Sequence, residues 1–433
     1  MDNRTRVAYF ENLLKQDPYA EKDLYYQGRM QKLPVYRIEL KYLVYNEYNG
    51  RIASRVKSYE HETGIKLDSD NEDAFIKIEE FLEESHKNAN DKTFASICNQ
   101  GQKEVGIVTK DGVVIDGNRR TMLLRRKEKE TKEPQVFQAV ILDDELSKNR
   151  KEILLLETQY QIGEDAKADY HPIENYLKIK DMLQEGFSIE EIAQAMAKSV
   201  SEIKENISIL GMMDEYLSNL GYSEIYTRLY KTEDFFINLD RVYKQWSNTG
   251  GKLRWNPDES DLDDFKLIMF DYARYAYNIS KGVKVKDIRD NFLRNSENNP
   301  VAIKKIWDKF SKGHGPVDEI TEKEETIDDL RKRLKTNNLS GLYEARDKAW
   351  ATKVDSHIKE NYGQRVDDLE NYKSAQQPVK LLSQAYNKLL SINQESEEFY
   401  HSPEVFELVD TIRKWSDNAK SEIKAVRKSN KQA

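Results

Sequence analysis

The chain has 433 residues, of which 38% are hydrophobic and 34% charged, and its net charge is −8. At roughly 150 residues per domain this length suggests two or three domains, and the composition excludes collagen-like and low-complexity chains. Neither a membrane-spanning apolar run nor a signal peptide is recognisable, so we expect a cytoplasmic protein without a membrane partner. The single cysteine, Cys98, excludes internal disulfides and cysteine-based zinc clusters, and the scattered histidines give no reason to expect zinc. Because the chain is acidic, contact with nucleic acid would need a local basic patch.

The N-terminal third is predicted to change from helix to strand. Residues 1–30 indicate one amphipathic helix followed by a tyrosine-rich connector. From Leu33 the sequence alternates and is rich in β-branched and aromatic residues, which is typical of a strand. Acidic residues from Asp68 to Asp73 then precede a predicted helix from Ala74 to Ser85.

A clear α/β unit is predicted between Glu104 and Leu142. VGIVTKD and VVID indicate two strands joined by a tight turn, GNRRTMLLRRKEKE indicates a helix, and PQVFQAVIL indicates a third strand. From Leu146 onward nearly every segment has helical spacing, although we expect polar loops near residues 248–261 and 311–319. The predicted fold class is therefore α+β.

The segment Val113–Arg120 is the strongest candidate for a ligand site. It is a strand that passes through Gly117 into the first turn of a helix carrying Arg119 and Arg120. Backbone N–H groups at a helix start attract phosphate, and paired guanidinium groups add strong donors. A strand-to-helix turn with two surface arginines fits the same residues equally well.

These residues resemble a known family. VIDGNRRTMLLRR resembles the signature box of the ParB/sulfiredoxin superfamily, in which a G-x-R-R turn holds a nucleotide phosphate. The family's first box is resembled by LPVYRIELKYLVYNEYNGRI. The segment that leads to the signature box is resembled by ASICNQGQKEVGIVTKDG, and the third box is resembled by LLETQYQIGEDAKADYHPIENYLKI. The resemblance covers about residues 33–220.

The resemblance implies a ParB/sulfiredoxin-like N-terminal domain that binds CTP or ATP with Mg²⁺. The nucleotide-binding residues that it implies are Gly117, Asn118, Arg119, Arg120, Arg51 and Glu157. Glu157 is also the implied contact for the metal ion or the ribose.

Three positions depart from the family pattern. Asn118 stands where ParB proteins that hydrolyse CTP usually carry Glu, and Thr158 and Gln161 replace the Asn and Arg of the third box. Catalytic residues therefore stay unassigned, and weak CTPase or ATPase activity stays open. Sulfiredoxin chemistry is not expected, because the turn has no thiol and Cys98 is expected to be a small buried helix residue.

A helix-turn-helix is predicted directly after the third box. Ser188 and Glu191 form a helix-capping pair, a short turn follows at residues 197–199, and a second helix runs to Ile207 and beyond. The implied DNA-binding residues are Lys198, Ser199, Ser201, Lys204 and Asn206. Because Glu202 and Glu205 lie among them, a packing or dimerisation module is nearly as good an interpretation as a DNA reader.

The sequence thus predicts four regions: a helix and connector (residues 1–30), a nucleotide-binding domain (31–165), a helix-turn-helix region (166–220) and a helical C-terminal region (221–433). The resemblance implies a DNA-associated homodimer that nucleotide binding switches between conformations. One alternative is an NTPase or phosphotransfer enzyme of a DNA-modification or phage-restriction system. Another is a scaffold with a vestigial nucleotide site, whose C-terminal helices bind a protein partner.

Overall fold

The computed structural model describes residues 2–429, except residues 69, 144, 146–148, 166–170, 248–254, 280 and 295–298 and the side chains of residues 161–165. The chain divides into two compact units, Met1–Val366 and Asp367–Ala433. The fold is α+β, with one mixed sheet near the N terminus and a long helical region after it. Among the described residues, every helix is too short or too polar to cross a membrane.

Six strands form the sheet. They are Ala20–Tyr26 (β1), Arg29–Glu39 (β2), Val44–Tyr45 (β3), Gly106–Thr109 (β4), Val113–Asp116 (β5) and Val136–Leu142 (β6). Their order across the sheet is β1-β2-β6-β4-β5-β3. The pairs β4/β6 and β3/β5 are parallel and the others are antiparallel. The predicted strand after Leu33 and the predicted strand-turn-strand-helix-strand unit are confirmed.

The prediction for the first 30 residues is wrong in its second half. The helix α1 covers only Asn3–Leu13, and the expected tyrosine-rich connector contains the strand β1. In β1 only Leu24 and Tyr26 are buried, because β1 is an edge strand that pairs with β2 alone. Its sequence therefore shows too little alternation to reveal a strand.

Helices cover both faces of the sheet. They are α1, α2 (Ala53–Thr63), α3 (Glu72–Ser85), α4 (Lys87–Gln100), α5 (Asn118–Thr131) and α6 (Arg150–Asp165). Side chains alternate along β6, so Phe137 and Ala139 face the core that contains α3 and α5, whereas Val140 and Leu142 face the core that contains α6. The polar loop between β3 and α2 lies beside the N terminus of α5 because β3 and β5 are neighbours.

Cys98 is exposed, which corrects the expectation that it is buried. It lies in α4, where the neighbouring Ile97 faces the core. One residue along a helix turns the side chain by about 100°, so Cys98 points away from that core.

The remaining helices form a helical region with an aromatic core. They are α7 (Pro172–Gln184), α8 (Ile189–Ala195), α9 (Val200–Asn219), α10 (Glu233–Ser247), α11 (Glu259–Asn278), α12 (Val285–Ile288), α13 (Lys304–Glu322), α14 (Ile327–Leu334), α15 (Leu339–Leu390), α16 (Glu397–His401) and α17 (Pro403–Ser429). The core of the first unit continues from α7 through the first part of α15 and includes Trp307 and Trp350. The loop predicted at residues 311–319 is instead part of α13, because Phe310, His314 and Val317 bury one face of that helix.

Candidate functional site

The turn between β5 and α5 requires glycine. Gly117 has φ +102° and is the N-cap of α5. A Cβ atom on Gly117 would lie 2.6 Å from Cζ of Phe137, which is closer than side-chain atoms can approach. Because the N-cap has no side chain, the first-turn N–H groups of α5 receive no capping oxygen from it, and this leaves the helix start suited to an anion.

Asn118 ties this turn to the loop that follows β3. Its side chain is buried, its Oδ1 accepts a hydrogen bond from the backbone N–H of Asn46 at 3.1 Å, and its Nδ2 donates to the carbonyl of Val114 at 2.8 Å. The two partners in the first bond are 72 residues apart in sequence. Asn118 therefore holds the beginning of the first-box loop against the signature turn.

Glu157 holds the other end of the same loop. Its Oε1 accepts a hydrogen bond from the backbone N–H of Gly50 at 3.1 Å, across 107 residues. Arg51 is the next residue, and its backbone N–H donates to Oδ1 of Asn49 at 2.8 Å. We call Asn46–Arg51 the bridging loop, because it connects the signature turn to α6.

Glu157 also forms a buried ion pair. Its Oε2 lies 3.2 Å from Nζ of Lys178, and both side chains are almost completely buried. A metal ion at Glu157 would have to share or replace this ammonium group, because the buried carboxylate is already balanced by one positive charge. The predicted metal contact at Glu157 thus stays a prediction.

The contacts of Arg120 bear on whether the signature turn can bind a phosphate. Nη2 of Arg120 lies 2.7 Å from Oδ2 of Asp116, and Nη1 donates to the backbone carbonyl of Glu104 at 2.8 Å. Arg119, one residue earlier, is half-buried. Two N–H groups of Arg120 therefore already donate within the protein. A phosphate would have to compete with Asp116 for the guanidinium group.

Two capped helices separated by a short turn lie where the helix-turn-helix is predicted. Ser188 caps α8 in a reciprocal pair with Glu191, and Ser199 caps α9 in the same way with Glu202. The two helices share a core with α6 and α7 that contains Ile192, Met196 and Ile203, with Ile189, Val200 and Ile207 packed against it. These apolar side chains pack the two helices against each other.

The predicted DNA-binding residues are not equally accessible. Ser201 and Lys204 are exposed, whereas Lys198 and Asn206 are half-buried. Ser199 is exposed, but its hydroxyl donates to Glu202 and accepts from the backbone N–H of that residue. Its main role is therefore to cap α9.

The charge of this motif is negative. Residues 188–207 contain four acidic and two basic side chains, a net charge of −2: Glu190, Glu191, Glu202, Glu205, Lys198 and Lys204. The hydrogen bonds that Ser199 donates lower the pKa of Glu202, so this carboxylate keeps its charge at neutral pH. A phosphate backbone would meet little net attraction at this surface.

A buried carboxyl group joins α2, directly after the bridging loop, to α7. Glu174 accepts hydrogen bonds from the backbone N–H and the hydroxyl of Ser54, and that hydroxyl lies 2.6 Å from the hydroxyl of Tyr230. Burial raises the pKa of Glu174 to about 7, although the bonds from Ser54 act in the opposite direction. The position of Glu174 in the third box marked it in the sequence, but nothing there indicated Ser54 or Tyr230 as its partners.

One grouping of histidine and carboxylates among the described residues has metal-like spacing, and it lies in the helical region. Nε2 of His314 is 3.0 Å from Oδ2 of Asp271 and 3.7 Å from Oδ1 of Asp318. Nδ1 of His314 is buried and has no hydrogen-bond partner within the described part of the chain. A neutral imidazole has one N–H group, and placing it on Nε2 lets it donate to Asp271. A hydrogen bond thus explains the arrangement without a metal ion.

The geometry unites three segments that are distant in sequence: the bridging loop, the turn from Gly117 to Arg120, and Glu157 on α6. These segments correspond to the three boxes of the predicted resemblance. A comparison of the chain with known proteins finds no family model that matches it and no curated protein whose sequence matches it significantly.

Proposed function

We propose that the chain is a DNA-associated protein of ParB-like fold whose sheet domain binds a nucleoside triphosphate, CTP or ATP with Mg²⁺, as a conformational switch. The observation that carries this proposal is the bridging loop, whose two ends are held by Asn118 and Glu157. Arg51 lies at the end of this loop that contacts Glu157. These contacts join three of the four segments that resemble the family.

The phosphates would bind at the start of α5. The backbone N–H groups there and the positive end of the helix dipole provide the first attraction, and Arg119 provides a charged donor. Arg120 joins them if the triphosphate takes it from Asp116. Arg51 of the bridging loop would supply a further donor.

The switch would act through α6. Ile153 and Leu156 of this helix pack on the sheet, whereas Leu154 packs into the core of the helix-turn-helix. Glu157 lies on the same helix and touches the bridging loop. A nucleotide that moves the bridging loop therefore acts on an element shared by both domains, which is what coupling between two sites requires.

DNA binding would be weak or assisted by a second copy, because the helix-turn-helix carries a net charge of −2. Ser201 and Lys204 would make the DNA contacts, since both are exposed and, unlike Ser199, neither caps a helix.

Calorimetric titration of the full chain with CTP, ATP and GTP, each with Mg²⁺, tests the proposal. Arg119→Ala should weaken triphosphate binding about tenfold to a hundredfold, the typical effect of losing a hydrogen bond to a charged group. Arg126→Ala is the matched control, because Arg126 is on the same helix and pairs with Glu130 and Asp91 instead. It should leave binding unchanged.

Three results separate this proposal from its rivals. Triphosphate binding that DNA strengthens supports the switch. Multiple turnover of the γ-phosphate supports the enzyme alternative. Absence of binding for all three nucleotides refutes the nucleotide site and leaves the scaffold.

A further inference from the structure

The last helix of the chain has an apolar face that nothing covers within the described residues. Leu408, Val409, Trp415 and Val426 of α17 are 62%, 52%, 58% and 58% exposed. Large apolar side chains are seldom exposed in such a group on one element unless a partner covers them. We propose that α17 pairs with α17 of a second copy of this chain in antiparallel orientation.

The spacing of these residues fits helix pairing. Apolar side chains occur at three- and four-residue intervals along one face of the helix: Val405, Leu408, Val409, Ile412, Trp415, Ala419, Ile423 and Val426. Such spacing over three heptads is typical of a coiled coil. The helix has 27 residues, which corresponds to a length of about 40 Å.

The charges along α17 specify a second copy in antiparallel orientation. Residues 403–411 carry three acidic groups and no basic group, whereas residues 420–428 carry four basic groups and one acidic group. Side by side in parallel, two copies would bring like charges together at both ends. In antiparallel orientation the acidic end of each copy lies against the basic end of the other, and the helix dipoles are also opposed.

The sizes of the apolar side chains agree with this orientation. When the stripe is laid against itself in reverse, Val405 lies opposite Val426, and Ile412 lies opposite Ala419. Trp415, the largest residue, then lies opposite Ser416, near the two-fold axis. A large residue thus faces a small one, as packing between helices requires.

A lipid surface is the main rival for an amphipathic helix of this kind. The acidic N-terminal third of α17 would repel anionic lipid, whereas it has a basic partner in a second copy. Self-pairing therefore satisfies both the apolar face and the charges.

Sedimentation equilibrium of the full chain at micromolar concentration tests the pairing. We expect the unaltered chain to be a dimer. Ile412→Asp and Ile423→Asp should each raise the dissociation constant of the dimer at least tenfold. Ser421→Asp is the matched control, because Ser421 lies on the opposite face of α17, and it should dimerise normally. Circular dichroism spectra equal to that of the unaltered chain show that each variant is folded.

Either a monomeric unaltered chain or a dimer that survives both aspartate variants overturns the proposal. Sedimentation of that monomer with phosphatidylglycerol vesicles would then assign α17 to a lipid surface.

Disulfide cross-linking tests the orientation, in a chain whose exposed Cys98 is replaced by Ser. A mixture of Val405→Cys and Val426→Cys chains should form a mixed cross-linked dimer, whereas Val405→Cys alone should not cross-link. Efficient cross-linking of Val405→Cys with itself would show parallel helices and refute the antiparallel arrangement.

Discussion

Replacing Glu174 by Gln should make the protein more stable at alkaline pH. The carboxyl group is buried, and its two oxygens accept hydrogen bonds from the backbone and the hydroxyl of Ser54. A glutamine side chain has the same shape, and its amide oxygen can still accept one hydrogen bond. Its NH₂ group can donate another hydrogen bond to the hydroxyl of Ser54, if the hydroxyl groups of Ser54 and Tyr230 reorient. The substitution therefore removes the charge while keeping the contacts between α2 and α7.

The size of the effect follows from the pKa. Burial raises the pKa of Glu174 from 4.5 to about 7. Between these values the folded protein keeps a proton that the unfolded chain has released, so the stabilisation from this group is complete below pH 4.5 and is lost as the pH rises through 7. The loss amounts to about 3 kcal/mol at 1.36 kcal/mol per pKa unit. At pH 8, the free energy of unfolding of Glu174→Gln should exceed that of the unaltered protein by up to about 3 kcal/mol. At pH 4.5 the two free energies should be equal.

The difference between the two proteins must be measured, because His171 acts in the opposite direction. Burial and the neighbouring charges of His86 and Arg55 lower its pKa from 6.5 to about 4. The stabilisation from His171 is therefore complete above pH 6.5 and is lost as the pH falls through 4. In the unaltered protein the two groups partly cancel, whereas the comparison with Glu174→Gln isolates the carboxyl group.

Urea denaturation followed by circular dichroism at pH 5, 6, 7 and 8 gives the required free energies. Glu190→Gln is the control, because Glu190 is exposed and its replacement should change stability by only a few tenths of a kcal/mol at any pH. A difference between Glu174→Gln and the unaltered protein that does not change from pH 5 to pH 8 would refute the reasoning.

Three further predictions concern the candidate site and α9. Glu157→Ala should lower the free energy of unfolding by about 3–5 kcal/mol, because it leaves the buried ammonium group of Lys178 unpaired. The double variant Glu157→Ala/Lys178→Met should recover most of the lost stability, as measured by urea denaturation. Gly117→Ala should lower the free energy of unfolding by about 2 kcal/mol or more, since it adds backbone strain and a clash with Phe137. An unchanged melting temperature would contradict this prediction. Lys204→Ala should weaken binding to all DNA sequences alike and reduce the salt slope by about one, whereas an unchanged slope would show that α9 does not contact phosphate.

Local signals made much of the fold predictable. The capping pairs at Ser188 and Ser199 and the glycine at position 117 determine where helices begin, and each signal lies within a few residues of the feature that it predicts. The strand β1 could not be predicted in this way. Its only neighbour is β2, so most of its side chains are exposed and its sequence has no clear period.

The contacts that assemble the candidate site could not be predicted from local signals. Residue types and spacing marked Asn118 and Glu157, but their partners Asn46 and Gly50 are 72 and 107 residues away. The family resemblance implies a nucleotide contact for Asn118, and the structure adds that its amide group holds the backbone of the bridging loop. Only the arrangement of the strands determines which loop lies beside the start of α5.

The ion pair between Arg120 and Asp116 would determine what kind of anion the proposed site can accept. Both side chains are mostly buried, so their attraction is screened less by water than that of a surface pair. A phosphate that takes Arg120 leaves the carboxylate of Asp116 unpaired beside a polyanion, and the two would repel each other. A divalent cation carried by the nucleotide removes this repulsion, because Mg²⁺ binds carboxylate and phosphate oxygens together. The proposed site therefore requires a triphosphate bound with Mg²⁺ and disfavours free phosphate, which lacks a tightly held metal ion.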